Sequence, residues 1–148
     1  MSPHFGLMDP GKMTRADAAL LRSKLHWRGG LRRLREQKTA AGVATLYDAL
    51  LCGLRWYLLV HRTENAGDHW DEELEDEAIL FSLARKAGIF DETIDLTGMQ
   101  ALVNRALEGG DIVSVSRSFP GLIESLLNRI GVLPFDEREL PPEDPATF

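Results

Sequence analysis

Apolar and polar positions along this chain recur mostly with the period of an α-helix, and almost nowhere with the period of a strand. The spacing predicts a first helix from about Thr14 to Gln37. At about 100° per residue, Ala16, Leu20, Trp27, Leu31 and Leu34 fall on one stripe. Thr14 is placed to cap this helix, and Asp17 sits favourably in its first turn. Gly29-Gly30 lies inside it and costs roughly 2 kcal/mol of helix propensity, which predicts a kink or the close approach of another backbone. A second helix is predicted over about Thr39 to His61. From Ala40 to Val60 its only charged residues are Asp48 and Arg55. Val43, Leu46, Tyr47, Leu50, Leu51, Leu54, Tyr57 and Leu58 cover an arc of about 140° on the same geometry. Ala49, Gly53, Trp56 and Val60 form a second apolar face. A helix apolar on most of its circumference is buried on most sides, so this one is expected at the centre of the protein or of a dimer.

The segment Thr63 to His69 reads as a loop around Asn65-Ala66-Gly67. A third helix is expected near Trp70 to Ala87. Its acidic first turns suit the positive end of the helix dipole, and Gly88 with Ile89 supplies the stop. A fourth, about Asp95 to Glu108, carries Leu96, Met99, Leu102, Val103, Ala106 and Leu107 on one side and ends at Gly109-Gly110. Residues 111–117 alternate weakly. A fifth follows Ser118, with Phe119, Leu122, Ile123, Leu126, Leu127 and Ile130 as its stripe and Gly131 as its stop. The expected architecture is all-α: a compact up-and-down bundle of about five helices over residues 14–133. A flexible leader, 1–13, precedes it. An acidic, Pro-rich tail, 134–148, is expected to lie on the surface or to be mobile.

Composition adjusts this picture in few places. The 148 residues, 44% hydrophobic and 27% charged, suffice for one core without staples. A formal charge of -6 argues against a general nucleic-acid coat protein. Locally, however, residues 12–38 hold nine basic and two acidic residues. Lys24, Arg28, Arg32 and Arg35 form a strip there that can meet phosphates or an acidic partner. The run Glu64 to Glu77, with eight acids, is the expected counter-charge, within one chain or between subunits. The lone Cys52 excludes an internal disulfide and a Cys-based zinc site, and reads as a small buried hydrophobe. Glu64, Asp68, His69, Asp71 and Glu72 match no metal-binding signature. No metal and no cofactor is expected. No apolar run approaches the ~20 residues of a membrane span, and no signal-peptide block opens the chain. These readings give a cytoplasmic protein with no membrane partner.

The stretch LHWRGGLRRLREQK from Leu25, followed by ATLYDALLCGLRWYLL from Ala44, has a recognisable form. A long helix, a tight polar turn, and an alanine- and aromatic-rich helix with a Tyr-x-Ala core resemble the opening hairpin of HEPN-like helical bundles. The resemblance covers about a quarter of the chain. It implies a small α-domain that dimerises or pairs with a nucleotidyltransferase. It also implies, for the ribonucleases of that group, an Arg and a His four to six residues apart. Arg55 and His61 have five residues between them, but Trp56 stands where a polar residue usually follows the Arg.

On one continuous helix Arg55 and His61 point about 120° apart. As a ribonuclease pair, His61 would transfer protons, since an imidazole ordinarily titrates near neutral pH, and Arg55 would hold the phosphate. Asp48 and Arg55 are expected to be buried polar groups partnered by neighbouring helices. The small Ala49 and Gly53, the Trp56 anchor and Val60 are expected at a homodimer interface. The functional expectation is therefore a non-catalytic helical binding or assembly module. A metal-independent ribonuclease using Arg55 and His61 is the first alternative, and phosphate or nucleic-acid contact through the first helix is the second.

Overall fold

The computed structural model describes residues 13–61, 74–90, 96–109 and 118–143. Among them the chain forms an all-α bundle: five α-helices, one short 3-10 turn and no strand. Residues 1–12, the acidic segment 62–73, the segments 91–95 and 110–117, and residues 144–148 lie outside the described residues.

Helix α1 spans Arg15–Arg35, with Thr14 as its N-cap: the Asp17 amide donates to Thr14 Oγ1 at 3.0 Å. Helix α2 spans Thr39–Val60 and ends with His61 as its C-cap. The sharp turn between them passes through Gln37 at φ 63°. The Gly29-Gly30 pair does not interrupt α1; of the two expectations it is close approach that holds, and Gly30 alone makes it. A Cβ on Gly30 would stand 2.7 Å from Leu46 Cδ2, and one on Gly42 would stand 2.6 Å from Leu34 Cδ2. Each helix thus offers a glycine to a leucine of the other. Ser23 of α1 continues the same antiparallel register and donates to the Ala49 carbonyl at 2.7 Å.

Helix α3 spans Glu77–Lys86, shorter than the pattern predicts. Asp76 caps it by accepting from the Ala78 and Ile79 amides, so residues 74–76 form the turn before the helix and not its opening turns. Gly88 at φ 80° closes it and directs the buried Ile89 inward. Helix α4 spans Leu96–Leu107, and α5 spans Phe119–Ile130, with Gly131 at φ 93° as its left-handed cap. The other four helices all pack on α2. Val43, Leu46, Ala49, Leu50 and Leu54 of α2 are wholly buried, so its two apolar faces are both used. Helix α2 is in fact long and apolar enough to cross a membrane, contrary to the sequence expectation; in this fold more than half of its apolar stretch is buried by protein. In α4, Met99, Val103 and Ala106 face the core, while Leu107, the last residue of the helix, is 63% exposed.

Beyond α5 the chain does not project freely. Val132 and Leu140 are buried, and a 3-10 turn, Glu137–Glu139, capped by Asp136, lies between them. The tail, expected at the surface or mobile, is folded back on α1 as far as residue 143.

Candidate functional site

The Arg55–His61 pair is not brought together. Arg55 donates from Nε to the Leu74 carbonyl at 2.9 Å, with Glu75 Oε2 at 3.9 Å from its outer nitrogen. It therefore holds the turn before α3 to α2. His61 is exposed at the helix end. It stacks on the Tyr57 ring with centroids 4.2 Å apart, and its Nδ1 lies 3.1 Å from the Tyr57 carbonyl. One group is committed to a buried carbonyl, and the other lies on the helix terminus.

The cationic strip of α1 is occupied by the chain's own tail. Glu143 places Oε1 3.2 Å from Arg28 Nε and Oε2 2.7 Å from Arg32 Nε. Glu36 adds a second carboxylate 3.4 Å from Arg32. Lys24 lies 3.7 Å from Glu139 and 5.5 Å over the Phe135 ring. Arg35 is exposed. Three of the four expected phosphate contacts thus have internal counter-charges. Those charges come from the tail and from Glu36, whereas the acidic run was the expected source; its residues 64–73 lie outside the described residues.

The expected dimer face is also covered within one chain. Ala49 is wholly buried. A Cβ on Gly53 would stand 3.0 Å from Leu127 Cδ2 and 3.1 Å from Ile130 Cδ1 and Ser23 Oγ. Trp56 is half-buried, close to Gly131. The assignment of Ala49 and Gly53 to an interface is corrected accordingly: α5 and α1 fill that face. Val60 alone of the four is exposed.

Cys52 is buried at the wall of a cavity of about 440 Å³ that also meets Arg15, Arg22, Arg55 and Glu75. Burial pushes its thiol pKa up, and Arg55 and Arg22 offset this only in part. A raised thiol is a poor nucleophile at neutral pH.

A second cleft, of about 460 Å³, lies where α2, α3 and α4 meet. Helix α2 contributes Ala44, Tyr47 and Asp48, α3 contributes Glu77 from its first turn, and α4 contributes Gln100, Val103, Asn104 and Leu107. Asp48 is exposed, which corrects its assignment as a buried polar group: it lies at the edge of the cleft. Loss of water on the cleft side pushes its carboxyl pKa up, the Arg55 guanidinium pulls it back, and the nearby Glu77 pushes it up again. Tyr47 is only 6% exposed. Its hydroxyl is buried and makes no hydrogen bond. Glu77 and Gln100 stand beside it without reaching hydrogen-bond geometry, and burial raises the phenol pKa above its ordinary value, with Glu77 acting in the same direction.

No lysine, arginine or histidine lines this cleft among the described residues. Among them, too, no three His, Cys, Asp or Glu side chains are grouped to hold a metal ion. The sequence reading missed this site because Tyr47 lies on the core stripe of α2, and its neighbours Glu77, Gln100 and Asn104 come from separate helices. No family model, curated protein or solved structure matches the chain.

Proposed function

We propose that this protein is a non-catalytic helical binding module whose ligand enters the cleft between α2, α3 and α4. One observation carries this reading: the Tyr47 hydroxyl is buried with its hydrogen-bonding capacity unused, beside a cavity lined by four other polar side chains. A buried polar group without a partner costs about 1–3 kcal/mol, and nearly all such groups in native folds are satisfied. A ligand group in the cleft would satisfy it. The volume falls within the usual range for small-molecule sites, and polar groups converge there on an apolar wall.

The alternatives draw less support. A ribonuclease needs Arg55 and His61 on one phosphate, and Arg55 is engaged with Leu74 and Glu75. Phosphate binding along α1 would have to displace Glu139 and Glu143.

The test is a chemical-shift survey of the isotope-labelled full chain against small cationic, neutral and anionic organic probes. The expected result is that one charge class perturbs the amides of Tyr47, Gln100 and Asn104 selectively, and that Leu107→Trp at the cleft wall reduces the effect. If no class perturbs the cleft, the reading is wrong.

A further inference from the structure

We infer that the cleft selects an organic cation: an ammonium or guanidinium head on a short apolar stem. This rests on the cleft being the binding site and specifies what it takes. The inference begins with the charges. Asp48 and Glu77 both line the cleft, and no cationic side chain does so among the described residues. Arg55 is the cation felt by Asp48, but its guanidinium is turned to the Leu74 carbonyl and Glu75. An anion entering the cleft meets two like charges. A neutral ligand leaves them uncompensated. A cation offsets their mutual repulsion, and its attraction strengthens as it excludes water.

Hydrogen bonding points the same way. Against the amide N–H groups of Gln100 and Asn104 and the Tyr47 O–H, the cleft sets two carboxylates, two amide carbonyl oxygens and the Tyr47 oxygen, so acceptor lone pairs outnumber donors. An ammonium carries three donors and no acceptor, and a guanidinium carries five donors. Either can donate to a carboxylate of the cleft and, once the side chains covering it shift, to the Tyr47 oxygen. The acids alone would describe an ordinary solvated surface. The buried, unpartnered phenol beside them marks this cleft as more than that.

The walls set the rest of the ligand. Ala44, Val103 and Leu107 are apolar, and Leu107 is 63% exposed. A stem of a few carbons lying against Leu107 would remove it from water. At about 460 Å³ the cleft far exceeds one small ion, and it accepts a ligand of several heavy atoms. The side chain of a lysine or arginine on a partner protein has this form, as does a free alkylamine.

The experiment is a titration of the full chain, followed by the amide shifts of Tyr47, Gln100 and Asn104, with n-pentylammonium, 1-pentanol, pentanoate and calcium chloride. The ammonium is expected to saturate these shifts with a Kd on the order of 1 mM, as suits a ligand of few heavy atoms. The alcohol should bind at least tenfold more weakly, and pentanoate not at all. Asp48→Asn and Glu77→Gln should each weaken the ammonium about tenfold, the loss of one charge-assisted contact. Tyr47→Phe should weaken it severalfold without lowering the melting temperature of the ligand-free protein, which separates a ligand contact from a structural one. If the alcohol or pentanoate binds as well as the ammonium, the cation inference is overturned while the binding site stands. If calcium reproduces the same shifts and competes with the ammonium, the site takes a metal and the organic cation is wrong. If no probe moves these residues, both the inference and the site fall together.

Discussion

Asp48 and Arg55, the two charged residues of α2, play opposite parts in its stability. Asp48 binds its proton more readily in the folded chain than in the unfolded one, because its carboxyl is partly desolvated and faces Glu77. The folded state therefore holds more protons between the ordinary carboxyl value of 3.8 and the raised folded value, so the contribution of Asp48 to stability falls as pH rises through that window. At pH 7 the charged carboxylate is a net cost. Asp48→Asn should raise the melting temperature at pH 7 only slightly, by about 1 °C at most, because solvent screens the charge at this exposed position. The advantage should vanish toward pH 4. Melting curves across pH 4–7 check both features, and a variant less stable than wild type at pH 7 would contradict the sign. Arg55 behaves differently. Its bond to the Leu74 carbonyl is structural, so Arg55→Ala should cost about 1–2 kcal/mol, and His61→Ala should cost almost nothing. An RNase assay without divalent ions should find RNA intact with wild type and both variants.

At the scale of elements, the α1–α2 hairpin rests on the paired exchange of Gly30 for Leu46 and Gly42 for Leu34. A methyl at either glycine gains up to about 1 kcal/mol of helix propensity. It also meets a leucine side chain at less than 3.0 Å and a backbone nitrogen at 3.1 Å. Overpacking of that kind costs about 1–3 kcal/mol, and the contact with backbone decides the sign. Gly30→Ala and Gly42→Ala should each lower the denaturation midpoint. Gly53→Arg should do more, since it drives a charged side chain among Leu127, Ile130 and Ser23, and it should unfold the chain. These contacts also show what was legible beforehand. The central place of α2 could be read because only Asp48 and Arg55 interrupt its apolar length and its two apolar faces leave no other place for it. The meaning of Gly29-Gly30 could be narrowed to a kink or a close approach, but the choice depends on which residue of α2 lies opposite. The start of α3 was misplaced because a long acidic run fits a helix N-terminus anywhere along it, whereas the Asp76 cap fixes one position.

At the scale of the whole molecule, two features come from residues far apart in sequence. The first is the tail. Composition marks residues 134–148 as surface-like, and it does not identify which base a given acid will find. Glu143 bridges Arg28 and Arg32, whose side chains are only 12% and 10% exposed. Glu143→Gln should destabilise the protein by about 1–3 kcal/mol, because two largely buried guanidinium groups lose a shared carboxylate. It should also release the tail to proteolysis after α5. A tail equally protected in the variant would show that Leu140, and not the ion pairs, anchors it.

The second is the cleft of α2, α3 and α4, assembled from a core-stripe tyrosine and polar residues of three helices. Its decisive test is the melting temperature of Tyr47→Phe beside wild type, with and without n-pentylammonium. An unused buried hydroxyl is a cost, so the ligand-free variant should melt at the wild-type temperature or above it, by up to about 1 kcal/mol of added stability. The ligand-induced stabilisation of wild type should shrink severalfold in affinity in the variant. A Tyr47→Phe protein that melts lower than wild type without ligand, and responds to the ammonium just as wild type does, would show the hydroxyl to be an internal structural group and would contradict the account.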